Sequence, residues 1–255
     1  MIYDLQKASV GKRIIAFIFD LIMFATLAVG IAYIISVVGN YAQYSERLKD
    51  IREEYSEEYQ VQLDITSEEY AALSESELAR YKEAEDAFSK DEEANELYST
   101  MLNFMIVIIS VSPLVSCLVL EFAVPLLFGN GQTLGKKIFG IGIMLDNGVK
   151  ITGIALFTRS ILGKFAIETA IPIIAFLMMV FAPSGLFGAL IILALVVANL
   201  ALLLFNSKRT LIHDIVSYTV CVDLASQMIF ESEEALLEYK NTLHAEANDF
   251  ERSRT

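Results

Sequence analysis

Seven ionisable residues lie in or beside apolar runs long enough to cross a bilayer: Arg13, Asp20, Glu121, Arg159, Glu168, His213 and Asp214. A charge inside a span costs about 2.5–3.5 kcal/mol on insertion scales, so each needs a partner or a wet cavity. Carboxylates so placed could bind a monovalent cation or take up a proton. They could equally form a satisfied ion-pair network that holds helices together. Asp20 lies early in the first run, Glu121 near the end of the second and Glu168 at the start of the third. Their expected counter-charges are Arg13, Arg159 and Lys164. Arg13 and Asp20 share a helical face two turns apart, too far for a tight pair, so each is expected to meet groups from other helices. The opposite halves of the spans offer only Ser36, Asn103, Ser110 and Ser112. A relay through the full depth would need an oligomer, or backbone carbonyls freed at Pro113, Pro125 or Pro172.

Other chemistry is weakly signalled. His213 and Asp214 are adjacent, and neighbours on a helix point about 100° apart, so they are not expected to act as a dyad. Gly129 to Lys137 has glycines and lysines but lacks the spacing and Lys-Ser/Thr ending of a phosphate loop. It reads as a turn entering a lipid-facing Lys-Lys helix. Cys117 and Cys221 form no CxxC and read as small apolar side chains. No catalytic set, cofactor or metal is implied, and the chain is not expected to be an enzyme.

The elements that must position these residues follow from the distribution of apolar and charged residues. Of 255 residues 55% are apolar, yet the net charge is −13. The acid is concentrated: residues 41–100 hold 18 Asp and Glu against 6 Lys and Arg, and residues 223–255 hold 8 against 3. The apolar remainder is mildly basic, as membrane spans flanked by cytosolic Lys and Arg are. No basic recognition patch remains, so nucleic acid is excluded as a partner. The run Ile14 to Val38 would span about 37 Å as a helix, too long for a secretory signal core. Further runs cover Met101 to Phe128, Phe165 to Phe181 and Leu186 to Phe205, the last two split by a turn at 182–185. Lys and Arg flank the first run and populate 130–164 and 208–209, which places those segments and both termini in the cytosol of a plasma-membrane protein.

The sequence therefore predicts an all-α membrane protein, a four-helix transmembrane bundle with an outward helical hairpin and a small cytosolic β-hairpin or sheet. Its segments are 1–40 with the first span, the acidic hairpin 41–100, the span 101–128, the cytosolic loop 129–164, the spans 165–205, an amphipathic segment and strand at 206–223, and an acidic tail 224–255. In the hairpin, Tyr41, Tyr44, Leu48, Ile51 and Tyr55 form a one-sided helical stripe, answered by Leu78, Tyr81, Ala84 and Phe88. Thr66 to Glu69 has capping-box spacing. Asp146-Asn147-Gly148 between apolar runs reads as a tight turn with positive φ at Asn and Gly, and 217–223 as a further strand.

The same residues carry a resemblance. Ala8 to Asp20, with Arg13 and Asp20, is similar to the opening motif of RDD-family membrane proteins. Gly131 to Lys137 with Asp146, Gly148 and Arg159 resembles the central motif, and His213-Asp214 with Thr219-Val220 the closing one. Arg13, Asp20 and Asp214 would be the name-giving residues. The hairpin and a fourth span depart from the family's usual pattern. The resemblance implies cation-for-proton exchange in some members and an accessory role beside membrane proteins in others. Expected partners are the lipid bilayer, monovalent cations, a second copy, or a membrane protein bound through the hairpin or tail.

Overall fold

The computed structural model describes residues 5–181 and 185–252, with side chains through 246. The expected turn residues 182–184 and the end of the tail lie outside them. Among the described residues four helical stretches are long and apolar enough to cross a membrane: Val10–Val38, Glu92–Phe128, Gly153–Phe181 and Gly185–Phe205. They expose Ile14, Phe17, Ile22, Leu127, Leu186 and Phe205, a surface that suits lipid and not water. Three begin earlier than the apolar runs, because polar side chains cap them. Helix α1 (Val10–Val38) follows Ser9, whose Oγ accepts the Lys12 N–H. The second stretch follows Asp91, whose carboxylate accepts the Ala94 N–H at 2.7 Å. The third follows Thr152, whose Oγ1 accepts the Ala155 N–H. Arg159 and Lys164 therefore lie inside the third stretch rather than in the loop before it.

The chain forms two compact units, residues 29–112 and residues 1–28 with 113–255. In the first, α2 (Tyr41–Glu58), the short α3 (Ser67–Ala71) and α4 (Glu75–Lys90) build the hairpin. Ile51 and Ala84 from the two stripes are buried, and Tyr55 meets Phe88 edge-on at 5.9 Å. Thr66 with Glu69 and Ser74 with Glu77 make complete capping boxes. Helix α5 (Glu92–Cys117) opens the second stretch, and Arg47 on α2 binds its Glu93 at 2.7 Å.

In the other unit, α5 passes into a π-helical segment, Leu118–Ala123, and then α6 (Val124–Phe128). After α7 (Leu134–Ile138) comes strand β1 (Ile141–Leu145). The third stretch is α8 (Gly153–Phe157), a π-helical segment Thr158–Ala170, and α9 (Ile171–Phe181). Helix α10 (Gly185–Phe205), α11 (Ile212–Val216), β2 (Thr219–Asp223) and α12 (Glu233–Arg252) complete it.

Strands β1 and β2 pair antiparallel, with Ile143 opposite Cys221. Alternation sends Ile141, Ile143 and Cys221 into a core with Ala8, Ala16 and Leu156, and Met144, Val220 and Val222 into another. The expected turn at 146–148 forms, but β1 takes its main partner from β2, keeping only a bridge from Met144 to Lys150. Gly148 alone of the pair has positive φ; Asn147 instead accepts the Val149 N–H on its side-chain oxygen. Both sheet edges are covered. Lys7 bridges Val222 and the Ala8 N–H donates to the Cys221 carbonyl on one side, while the Ile143 N–H donates to the Asn130 carbonyl on the other.

Helices α9 and α10 pack through small residues. A Cβ on Gly188 would run into the carbonyl of Ala175, itself buried. In lipid, where apolar surface alone gives no reason to associate, such close approach holds helices together. Gly188→Leu should lower stability by about 1–3 kcal/mol through overpacking, read as a reduced thermal midpoint in detergent. Gly30→Ala, where a Cβ meets nothing within 4 Å, should be neutral or slightly stabilising.

Candidate functional site

Asp214 is completely buried in the first turn of α11. Its Oδ2 accepts the Leu211 N–H at 2.8 Å and Arg13 Nη2 at 3.2 Å. Its Oδ1 accepts Arg159 Nη1. Arg159, 2% exposed, also donates to Thr219 Oγ1 at 2.6 Å and lies 3.8 Å from Cys221 Sγ. Arg13 donates its other arm to the Arg209 carbonyl. One carboxylate thus ties α1, the third stretch and the loop before α11 together. Burial alone would push Asp214 up; Arg159, then His213 and Arg13, overcome it and hold the carboxyl well below the usual range.

A second set joins the two π segments. Lys164 Nζ pairs with Glu121 Oε1 at 2.5 Å. Ser160 Oγ donates to the Glu121 backbone carbonyl at 2.5 Å. Pro125, four residues on, has no N–H for an α-helical bond to that carbonyl, and the hydroxyl from the neighbouring helix donates to it. In π-helical geometry hydrogen bonds close at i+5, so residues five apart sit one above the other. Arg159 and Lys164 have that spacing and present two cations from one face.

The third set is a histidine between two acids. His213 Nδ1 lies 2.8 Å from Glu168 Oε2, and Nε2 lies 3.5 Å from Asp214 Oδ1. The ring therefore does reach its chain neighbour, contrary to the expectation from helical phase, because α11 is a single turn wedged on the third stretch. Gly163 makes this possible, since a Cβ there would strike His213 Cβ and Cα at 2.6 Å and 2.7 Å. Burial and then Arg159 lower the His213 pKa, against the pull of Asp214 and Glu168.

Asp20 is held by no direct Lys or Arg bond among the described residues, although its charge acts on Lys136 and Lys164. Its Oδ2 accepts Thr133 Oγ1 at 2.5 Å and its Oδ1 the Gly135 N–H at 2.8 Å, so it receives the start of α7. Gly135 is required there, because a Cβ would meet the Ala16 carbonyl. Lys136 turns inward to Thr133 Oγ1 at 3.3 Å, and its pKa is lowered by burial and Lys164. Only Lys137 of the pair is exposed, lying 3.5 Å over the Phe128 ring. The α7 helix is thus not lipid-facing along both lysines.

The structure brings all seven singled-out residues into one unit but redistributes the partners. Arg13 and Arg159 both serve Asp214, not the carboxylates within the spans, and Lys164 serves Glu121. Thr133, Gly135 and Thr219 stand in the motifs that carry the resemblance but were not singled out as site residues, and Ser160 and Gly163 carried no signal in the sequence. Cys117 and Cys221 are free and buried. Among the described residues no cluster of His, Cys, Asp or Glu suits a metal ion.

Four helical stretches long and apolar enough to cross a membrane, with a buried network of paired charges beside them, mark a membrane protein. The RDD family model matches residues 7–218, most of the chain, and the chain belongs to that family. Neither curated proteins nor solved structures give a significant match.

Arg159→Met leaves Asp214 under-compensated in a dry site and should cost about 3–5 kcal/mol. In a double-mutant cycle, Arg159→Met with Asp214→Asn should cost clearly less than the sum of the single changes. Additive costs would deny the coupling.

Proposed function

We propose that the protein exchanges a small monovalent cation for a proton across the membrane, without enzymatic chemistry. The observation that supports this reading is the charge balance of the network. Arg13, Lys136, Arg159 and Lys164 offset Asp20, Glu121, Glu168 and Asp214, so the set is neutral when His213 is neutral. In a low-dielectric site, a neutral set accepts a cation at low cost only if a positive charge leaves. That is the logic of exchange. Asp20 is the carboxylate best suited to meet the cation, because a hydroxyl and an amide hold it rather than a Lys or Arg. Residues 5–9, 129–152 and 206–252 then face the cytosol of a cell-membrane protein, following the Lys and Arg bias.

A second reading rests on a separate observation. Residues 29–112 form a compact unit of their own, and its hairpin is strongly acidic. In this reading the chain is a non-catalytic accessory protein that binds a membrane partner through the hairpin or tail.

Purified protein in liposomes loaded with a pH dye should show saturable proton flux on pulses of Na⁺, K⁺ or Li⁺, and Asp20→Asn should abolish it. If no cation elicits flux, exchange fails as a reading. In that case deletion of residues 45–97 should strip a co-purifying membrane protein.

A further inference from the structure

His213 is placed so that one added proton changes what it can hold. A neutral imidazole carries N–H at one nitrogen and an imidazolium at both. With Nδ1 against both oxygens of Glu168, at 2.9 Å and 2.8 Å, the neutral ring spends its single N–H there. Its Nε2 faces Asp214 Oδ1, the oxygen that Arg159 Nη1 and the Cys221 thiol already engage. A second N–H would therefore compete with them for that oxygen. It would also add one positive charge to a network otherwise in balance.

The charged groups facing His213 come from every element around it. The third stretch gives Glu168, Arg159 and Lys164, and the π segment at 118–123 gives Glu121. Its own helix gives Asp214, α1 gives Arg13 through Asp214, and β2 gives the Cys221 thiol. Gly163 lets the His213 Cα and Cβ come close to the third stretch, so α11 sits tightly against it at this point.

We propose that Glu168, His213 and Asp214 form a proton-loaded latch, in which protonation of His213 displaces Arg159 from Asp214 and frees α11 and β2 from the third stretch. The latch depends on these contacts alone and holds whether or not the protein moves a cation. Its sign is fixed by burial and Arg159, which depress the His213 pKa. A histidine depressed in the folded state leaves stability intact above the ordinary imidazole range, near 6.5, and loses it as pH falls through that range. The latch is thus closed at neutral pH and opened by acid.

Cys221, 3% exposed and beside both Arg159 and Asp214, reports the opening. In full-length Cys117→Ala protein in nanodiscs, a dipyridyl disulfide reagent should label Cys221 several-fold faster at roughly pH 5.5 than at roughly pH 7.5, a span that brackets imidazole titration. Adding His213→Gln should remove the acid response. Equal labelling at both pH values, or an undiminished response in His213→Gln, overturns the latch. Should His213→Gln fail to fold, imidazole signals of ¹⁵N-histidine protein decide. There are two histidines, so in His244→Gln protein the remaining ring signal belongs to His213. That ring must gain its proton in step with Cys221 labelling; a ring that never titrates between about pH 4.5 and 8 refutes the idea.

Discussion

The fold depends on the burial of one carboxylate. Asp214 has no exposure and accepts from two arginines and a backbone N–H, which consumes nearly all its acceptor capacity. Buried ion pairs add little net stability over apolar residues of equal size, but a half-broken one is severely destabilising. Asp214 is therefore better understood as a constraint than as a source of stability. Only an arrangement that brings α1, the third stretch and α11 to the same point is tolerable.

The π segments make that meeting geometrically available. An α-helix cannot place residues five apart on one line, whereas hydrogen bonds closing at i+5 do. Arg159 and Lys164 can then act toward Asp214 and Glu121 in parallel. The Ser160 hydroxyl supports the same joint by donating to the Glu121 carbonyl. Polar residues that look like defects in an apolar sequence are thus mutually satisfied.

Much of this was legible in the sequence. Apolar length marked the four spans, the Thr66 to Glu69 spacing marked a cap, and the stripes marked the hairpin faces, because each signal is local. The pairing of charges was not legible. Arg13 and Asp214 are about two hundred residues apart, and nothing in either neighbourhood says that Arg13 passes over Asp20 to reach it. The strands at 141–145 and 219–223 were both recognisable from their residues and expected in one small sheet; their direct pairing was not, since the nearby turn offered a plausible local return. Helix starts also shifted, because Asp91 and Thr152 cap upstream of any apolar run.

The covered sheet edge has a consequence for biogenesis. Residues 7 and 8 complete the sheet against Cys221 and Val222, which are made about two hundred residues later. The first span must leave the ribosome and enter the membrane long before its counterpart exists. During that interval Arg13 lacks Asp214, and Asp20 lacks Thr133 until the second stretch has followed. Closure over so long a loop is entropically slow. The nascent protein must therefore pass through an inserted but unlocked state, in which these two charges lack the partners that the folded chain gives them.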